Sequence, residues 1–256
     1  MMYALPHLGL SLGGVGRYSE AAKIFDEARQ FGRKYGVLPL LARATAMSAG
    51  FHLSVFDFEG AEALQREARE LARSVGFAPP VVSAGIDLLL TLARRHDPGG
   101  ADRLLQETTA EAASTAGWHQ WLWQLRLSQA RAELALARGA LDTAVTEASE
   151  GITQSRLRVR PKYEALGLIT RAQALHRLGR TRDAIADARQ AVLVARGTAD
   201  PALLLLAIDA VLPIDGDDES AAEAHALSDR ILNALPDETM QRRFTGSEVV
   251  RRLRRA

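Results

Sequence analysis

Apolar residues in this chain recur at i, i+3, i+4 and i+7, the spacing of one helix face, and not at the alternating spacing of strands. Trp123, Leu127, Ala130, Leu134, Ala137 and Leu141 form one such stripe. β-Branched clusters are scarce, and glycine and proline interrupt the helical pattern at intervals. "YGVLP" (35–39) is matched by "VGFAP" (75–79), and Gly117 and Pro161 mark later joints. Glycine ends a helix and proline starts the next, so the pattern predicts helix after helix joined by short turns.

The helices repeat. "GRYSEAAKIFDEA" (16–28) aligns with "FDFEGAEALQREA" (56–68), "HDPGGADRLLQET" (96–108), "GALDTAVTEASEG" (139–151) and "GRTRDAIADARQA" (179–191). Ala21, Ala61, Ala101, Ala144 and Ala184 then share one position, separated by 40, 40, 43 and 40 residues. Seven residues later stand Ala28, Ala68, Thr108, Gly151 and Ala191, all small and two turns further along the same face. Small residues there let a neighbouring helix approach closely. Each unit reads as a helix pair, with bounds near 2–36, 37–77, 78–117, 118–160 and 161–199. A degenerate sixth unit covers 200–235 in a register the sequence does not fix, and 236–256 suits a terminal cap over the last repeat. The expected fold is all-α: a single α-solenoid domain of helix-turn-helix repeats, five clear and one degenerate, with a C-terminal capping helix.

Composition narrows the setting. The chain has 256 residues, 32 basic against 31 acidic, and no cysteine. Disulfides, thiol catalysis and cysteine-held metals are excluded, and near-neutral charge gives no global field to attract nucleic acid or a membrane. The longest apolar stretch, Ala202 to Ile208, is far too short to span a bilayer, and the opening residues lack the charged n-region and small-residue cleavage site, so a signal peptide is not expected. A cytoplasmic protein with no cofactor is expected.

Local motifs for chemistry are weak. "GLSLGGVG" (9–16) lacks both the preceding strand and the following Gly-Lys-Ser/Thr of a phosphate loop, so its glycines read as the turn of the first repeat. His7, His52, His96, His119, His176 and His225 include no pair at i, i+3 or i+4 and so no helical metal pair. Asp215, Asp217, Asp218 and Glu219 lack calcium-loop spacing and suit a helix N-terminus. Arg242, Arg243, Arg251, Arg252, Arg254 and Arg255, with Phe244 and Leu253 interleaved, read as an amphipathic cap with a solvated basic face. Neither a nucleophile–base pair nor a carboxylate pair is placed by local spacing.

Leu8-Gly9, Gly16, Tyr18, Ala21, Phe25 and Ala28 in the first unit, and "LGRTRDAIADARQA" (178–191) in the fifth, give a pattern that resembles the tetratricopeptide repeat. Its longer period is similar to the extended repeats in the C-terminal arms of bacterial signalling ATPases of the maltose-regulator type, and to arms that follow class III adenylate cyclase and ATPase modules. That resemblance implies a non-catalytic arm that binds a protein or peptide segment and serves such a module in signalling or transcriptional regulation. It also implies that the first helix of each unit lines a concave groove. Arg43 and Arg94 would contribute from the early units, Arg126, Gln129 and Glu133 from the fourth, and Gln173, His176 and Arg177 from the fifth.

A helix wheel at about 100° per residue independently groups Arg126, Gln129 and Glu133 on one wedge. It also splits the tryptophans of "GWHQWLWQ" (117–124): Trp123 falls in the core stripe, while Trp118 and Trp121 border the groove wedge. Arginines, amides and one acid would suit an acidic or extended peptide. A free-standing peptide or small-molecule receptor, an enzyme-like site in the concave surface, and self-association through the ends of the array remain alternatives.

Overall fold

A computed structural model describes residues 2–117 and 119–254. Trp118 and Arg255, both singled out above, lie outside the described residues. Fourteen α-helices and no strand occur among the described residues. They are α1 Leu5–Gly14, α2 Tyr18–Lys34, α3 Leu38–Ser54, α4 Phe58–Ser74, α5 Ala78–Arg94, α6 Ala101–Ser114, α7 Gln120–Ala137, α8 Leu141–Leu157, α9 Pro161–Arg177, α10 Thr181–Gly197, α11 Pro201–Asp215, α12 Asp218–Ala234, α13 Glu238–Gly246 and α14 Glu248–Leu253. None of these helices is long and apolar enough to cross a membrane.

The turns explain the period. Left-handed residues stand at 16, 36, 56, 76 and 96, and again at 139, 159, 179 and 199, one every 20 residues. After each of the first eight, the next backbone N–H returns to the carbonyl five residues earlier, as in Arg17 to Leu12 (2.9 Å), Phe77 to Ala72 (2.8 Å) and Arg160 to Ser155 (2.8 Å). This is the Schellman closure, which satisfies carbonyls that a helix end leaves open. A 17-residue helix plus a three-residue turn fills 20 positions, and a pair fills 40. Glycine supplies the left-handed residue at 16, 36, 76, 139 and 179, whereas Phe56, His96, Val159 and Ala199 adopt it with a side chain.

Second helices bury one narrow stripe. In α2 it is Ala21, Phe25, Ala28 and Gly32; in α4, Ala61, Gln65, Ala68 and Ala72. The stripe recurs in α8 as Ala144, Ala148, Gly151 and Ser155, and in α10 as Ala184, Ala188, Ala191 and Ala195. Ala224, Ser228, Ile231 and Leu235 are buried at the same spacing, one 40-residue step on, which fixes the register of the sixth unit. First helices are buried more completely. In α5 nearly every residue from Pro80 to Ala93 is covered, as a helix with neighbours on several sides requires.

The chain groups into two compact units, Met1–Trp123 with Ala234–Phe244, and Gln124–Asn233 with Thr245–Ala256. In the first unit, Tyr18, Phe25 and Phe51 form an aromatic core with ring centroids 5.8–6.1 Å apart. This core corrects the reading of the glycine-rich opening. Only Gly16 lies in the turn, at φ 81°. Gly9 and Gly13 are inside α1, where a Cβ would stand 2.8 Å from the Phe25 ring and 3.1 Å from the Phe51 ring. The terminal segment also behaves differently from a single cap: α14 packs on α11 in the second unit, whereas most of α13 belongs to the first.

Candidate functional site

Within each unit the two layers pack by different means. Small-residue clusters join a first helix, its second helix and the next first helix: Ala46, Ala68 and Ala84 in one unit, Ala135, Ala144 and Ala174 in the other. Successive second helices instead reach each other through long ion pairs. Arg29 and Arg33 of α2 meet Glu67 of α4 at 3.3 and 3.1 Å, and one period on Arg69 and Arg73 of α4 meet Glu111 of α6 at 3.2 and 2.6 Å. Arg69 is itself buried, which depresses its pKa below the ordinary arginine value against the pull of Glu111. Room for it comes from Gly85, where a Cβ would collide with the guanidinium.

On α3 in the first unit, the Arg43 guanidinium lies 5.2 Å from the centroid of the Phe77 ring. His7 of α1 titrates below its ordinary value because it is partly buried and because Arg43 and His119 add positive charge nearby. Arg94 and Trp121 are both half-buried, and Trp123 is core, with His119 ring-to-ring at 6.2 Å. In the second unit Arg126, Glu133 and Gln173 are half-buried, and His176 and Arg177 are exposed. Arg177 donates to the Leu136 carbonyl at 2.8 Å, near the C-terminus of α7, where a cation is favoured.

Gln129 departs from the groove reading. It is only 3% exposed, and its amide nitrogen lies within hydrogen-bond distance of Glu133 (2.9 Å), Thr170 (3.0 Å) and the Leu166 carbonyl (3.3 Å). The wheel places it correctly on α7, but α9 packs directly over that face. A wheel carries no information about which polar wedge a neighbour covers.

One cluster escaped the sequence reading. Asp57 is fully buried at the start of α4, where it accepts from the Gly60 N–H at 2.9 Å and pairs with His52 Nδ1 at 2.6 Å. Arg243 of α13 reaches it at 3.4 Å and Glu59 at 3.2 Å. Burial alone would raise the Asp57 carboxyl; the His52 ring, the Gly60 N–H and Arg243 outweigh it and hold the pKa below its ordinary value of 3.8. Phe56 meanwhile stacks on Phe244, with centroids 6.0 Å apart and planes at 17°. The sequence signal was the departure of "FDFEG" from "GRYSE", legible only once its partner on α13 is known.

Such a carboxylate–imidazole pair orients histidines in acid–base sites, yet among the described residues Asp57 is the only hydrogen-bond partner of the His52 ring. No group of three or more His, Cys, Asp or Glu side chains that could hold a metal ion occurs among the described residues. The basic C-terminus is largely engaged: Arg252 clasps buried Asp209 of α11 and also Glu248, while Arg243 serves Asp57. Asp217 accepts from the Ser220 N–H at the start of α12, and Asp215 pairs with Arg189. No protein-family model matches the chain, and no curated protein sequence matches it.

Proposed function

We propose that the chain is a non-catalytic, cytoplasmic interaction scaffold of the tetratricopeptide-like kind, binding a protein or peptide segment along its first helices. In this reading it serves as the sensing or regulatory arm of a bacterial signalling or transcription-regulating system with an ATPase or cyclase module. One observation carries the proposal: first helices keep polar side chains at least partly exposed, Arg43 in the first unit and Arg126, Glu133, Gln173 and His176 in the second. A surface of cations and amides with one acid favours an acidic or extended segment. The test is capture of partners on the wild-type chain against an Arg43→Glu, His176→Glu chain of equal thermal stability. Loss of a partner on charge reversal supports the reading, and an unchanged partner set overturns it.

A second reading rests on the partly exposed Arg43 guanidinium, 5.2 Å from the centroid of the Phe77 ring, which would suit a small anionic ligand. A rise in melting temperature with nucleotides or metabolites, absent in Arg43→Ala, would favour it.

A further inference from the structure

The turn between α3 and α4 is one of four that place a side chain in left-handed backbone, and it alone buries an aromatic ring there. Phe56 takes the left-handed conformation at φ 61°, where glycine serves at 16, 36, 76, 139 and 179. A side chain there costs backbone strain, and the strain is offset because the buried ring stacks on Phe244. The next residue, Asp57, offers its buried carboxylate to Arg243, and Glu59 offers a second. Glycine at 60 is part of the same construction: a Cβ would collide with Asp57 and stand 2.6 Å from His52 Nδ1. Ser19, at the start of α2, donates to the Ala234 carbonyl at 2.8 Å, and Asp237 caps α13 through the Met240 N–H at 2.9 Å. Strain, a cut-out glycine and a buried carboxylate thus converge on one arginine and one phenylalanine.

The segment held there is slight. The nine residues of α13 bury only Met240 and Phe244, little apolar gain to set against the entropy of ordering a short helix. Such elements lie at the low end of local stability and open before the core does.

We propose that this edge of the second repeat is a receptor site for a short helix carrying adjacent arginine and phenylalanine, with α13 as its resident and exchangeable occupant. The aromatic ring seats on Phe56, the guanidinium between Asp57 and Glu59, and the helix entry on Ser19. A helix of the same chemistry on another chain gains the site when α13 leaves. The site lies on the turn edge, so it stands or falls apart from the first-helix reading.

The test uses a fluorescent peptide of residues 234–244, ALPDETMQRRF, and fluorescence anisotropy. A full chain carrying Arg243→Ala and Phe244→Ala should bind it. The wild-type chain should bind about ten-fold more weakly or worse, in proportion to the small fraction of molecules with α13 open. The same peptide with both residues replaced by alanine should not bind. Equal binding to both chains, or no binding to a double variant that keeps its helical circular dichroism, overturns the proposal. Hydrogen exchange on the wild-type chain tests it without any variant: amides of α13 should exchange about ten-fold or more faster than those of α3 and α4. Exchange of α13 only together with α3 and α4 overturns it.

Discussion

Val159 is 82% exposed, β-branched, and held at φ 51°. Left-handed backbone costs an L-residue about 1–2 kcal/mol, and the equivalent turns at Gly139 and Gly179 avoid that cost. Val159→Gly should therefore stabilise the chain by about 1 kcal/mol, less the larger unfolded-state entropy of glycine. That would raise the melting temperature by about 2–4 °C; a fall in differential scanning fluorimetry would refute the strain argument. The glycine turns were legible in the sequence because glycine marks them. Phe56, His96, Val159 and Ala199 were not, since these residue types do not announce a left-handed turn.

Asp57 supplies a pH prediction. Its folded-state pKa is depressed, so its contribution to stability is present above the ordinary carboxylate value of 3.8 and is lost as pH falls through the lower folded value. Asp209 works in the opposite sense: burial raises its pKa despite Arg252, so its ionisation weakens the fold as pH rises through that higher value. Asp57→Asn should flatten the acid limb of the stability profile measured by chemical denaturation below about pH 4. An unchanged acid limb would count against the buried pairing.

At the scale of elements, the small-residue stripe of the second helices and the 40-residue spacing could be read from sequence, and both agree with the buried positions. What lies across a face could not. Gln129 shares its wheel wedge with Arg126 and Glu133, yet α9 covers it and leaves the others half-exposed. Gln129→Ala should lower stability by about 1–2 kcal/mol by breaking a buried polar contact, and should leave partner binding unchanged. Loss of binding at full stability would restore it to the groove. The arginine ladder makes a parallel contrast. Arg33 is exposed and Arg33→Ala should cost less than about 1 kcal/mol, whereas buried Arg69→Ala empties a packed site and takes the partner of Thr108, leaving Glu111 to Arg73, and should cost about 2 kcal/mol. Urea denaturation separates the two, and equal costs would contradict the burial argument.

At the scale of the whole molecule, periodicity declares the architecture because every unit must bury the same stripe against its neighbours. Partner identity leaves no such trace. In the proposed reading it resides in a few polar side chains of the first helices, spread over helices that local spacing does not connect, and in single departures from the repeat such as Asp57. Trp121 illustrates the division: the wheel assigns Trp123 to the core, where it is buried, and leaves Trp121 half-exposed beside the polar wedge.

The proposal that the first helices carry the binding surface meets its most direct test in quantitative affinity capture, comparing the wild-type chain with Arg43→Glu, His176→Glu at matched melting temperature. The account predicts a protein or peptide partner retained by the wild-type chain and lost on charge reversal. Retention of the same partners at the same affinity by both chains would contradict it.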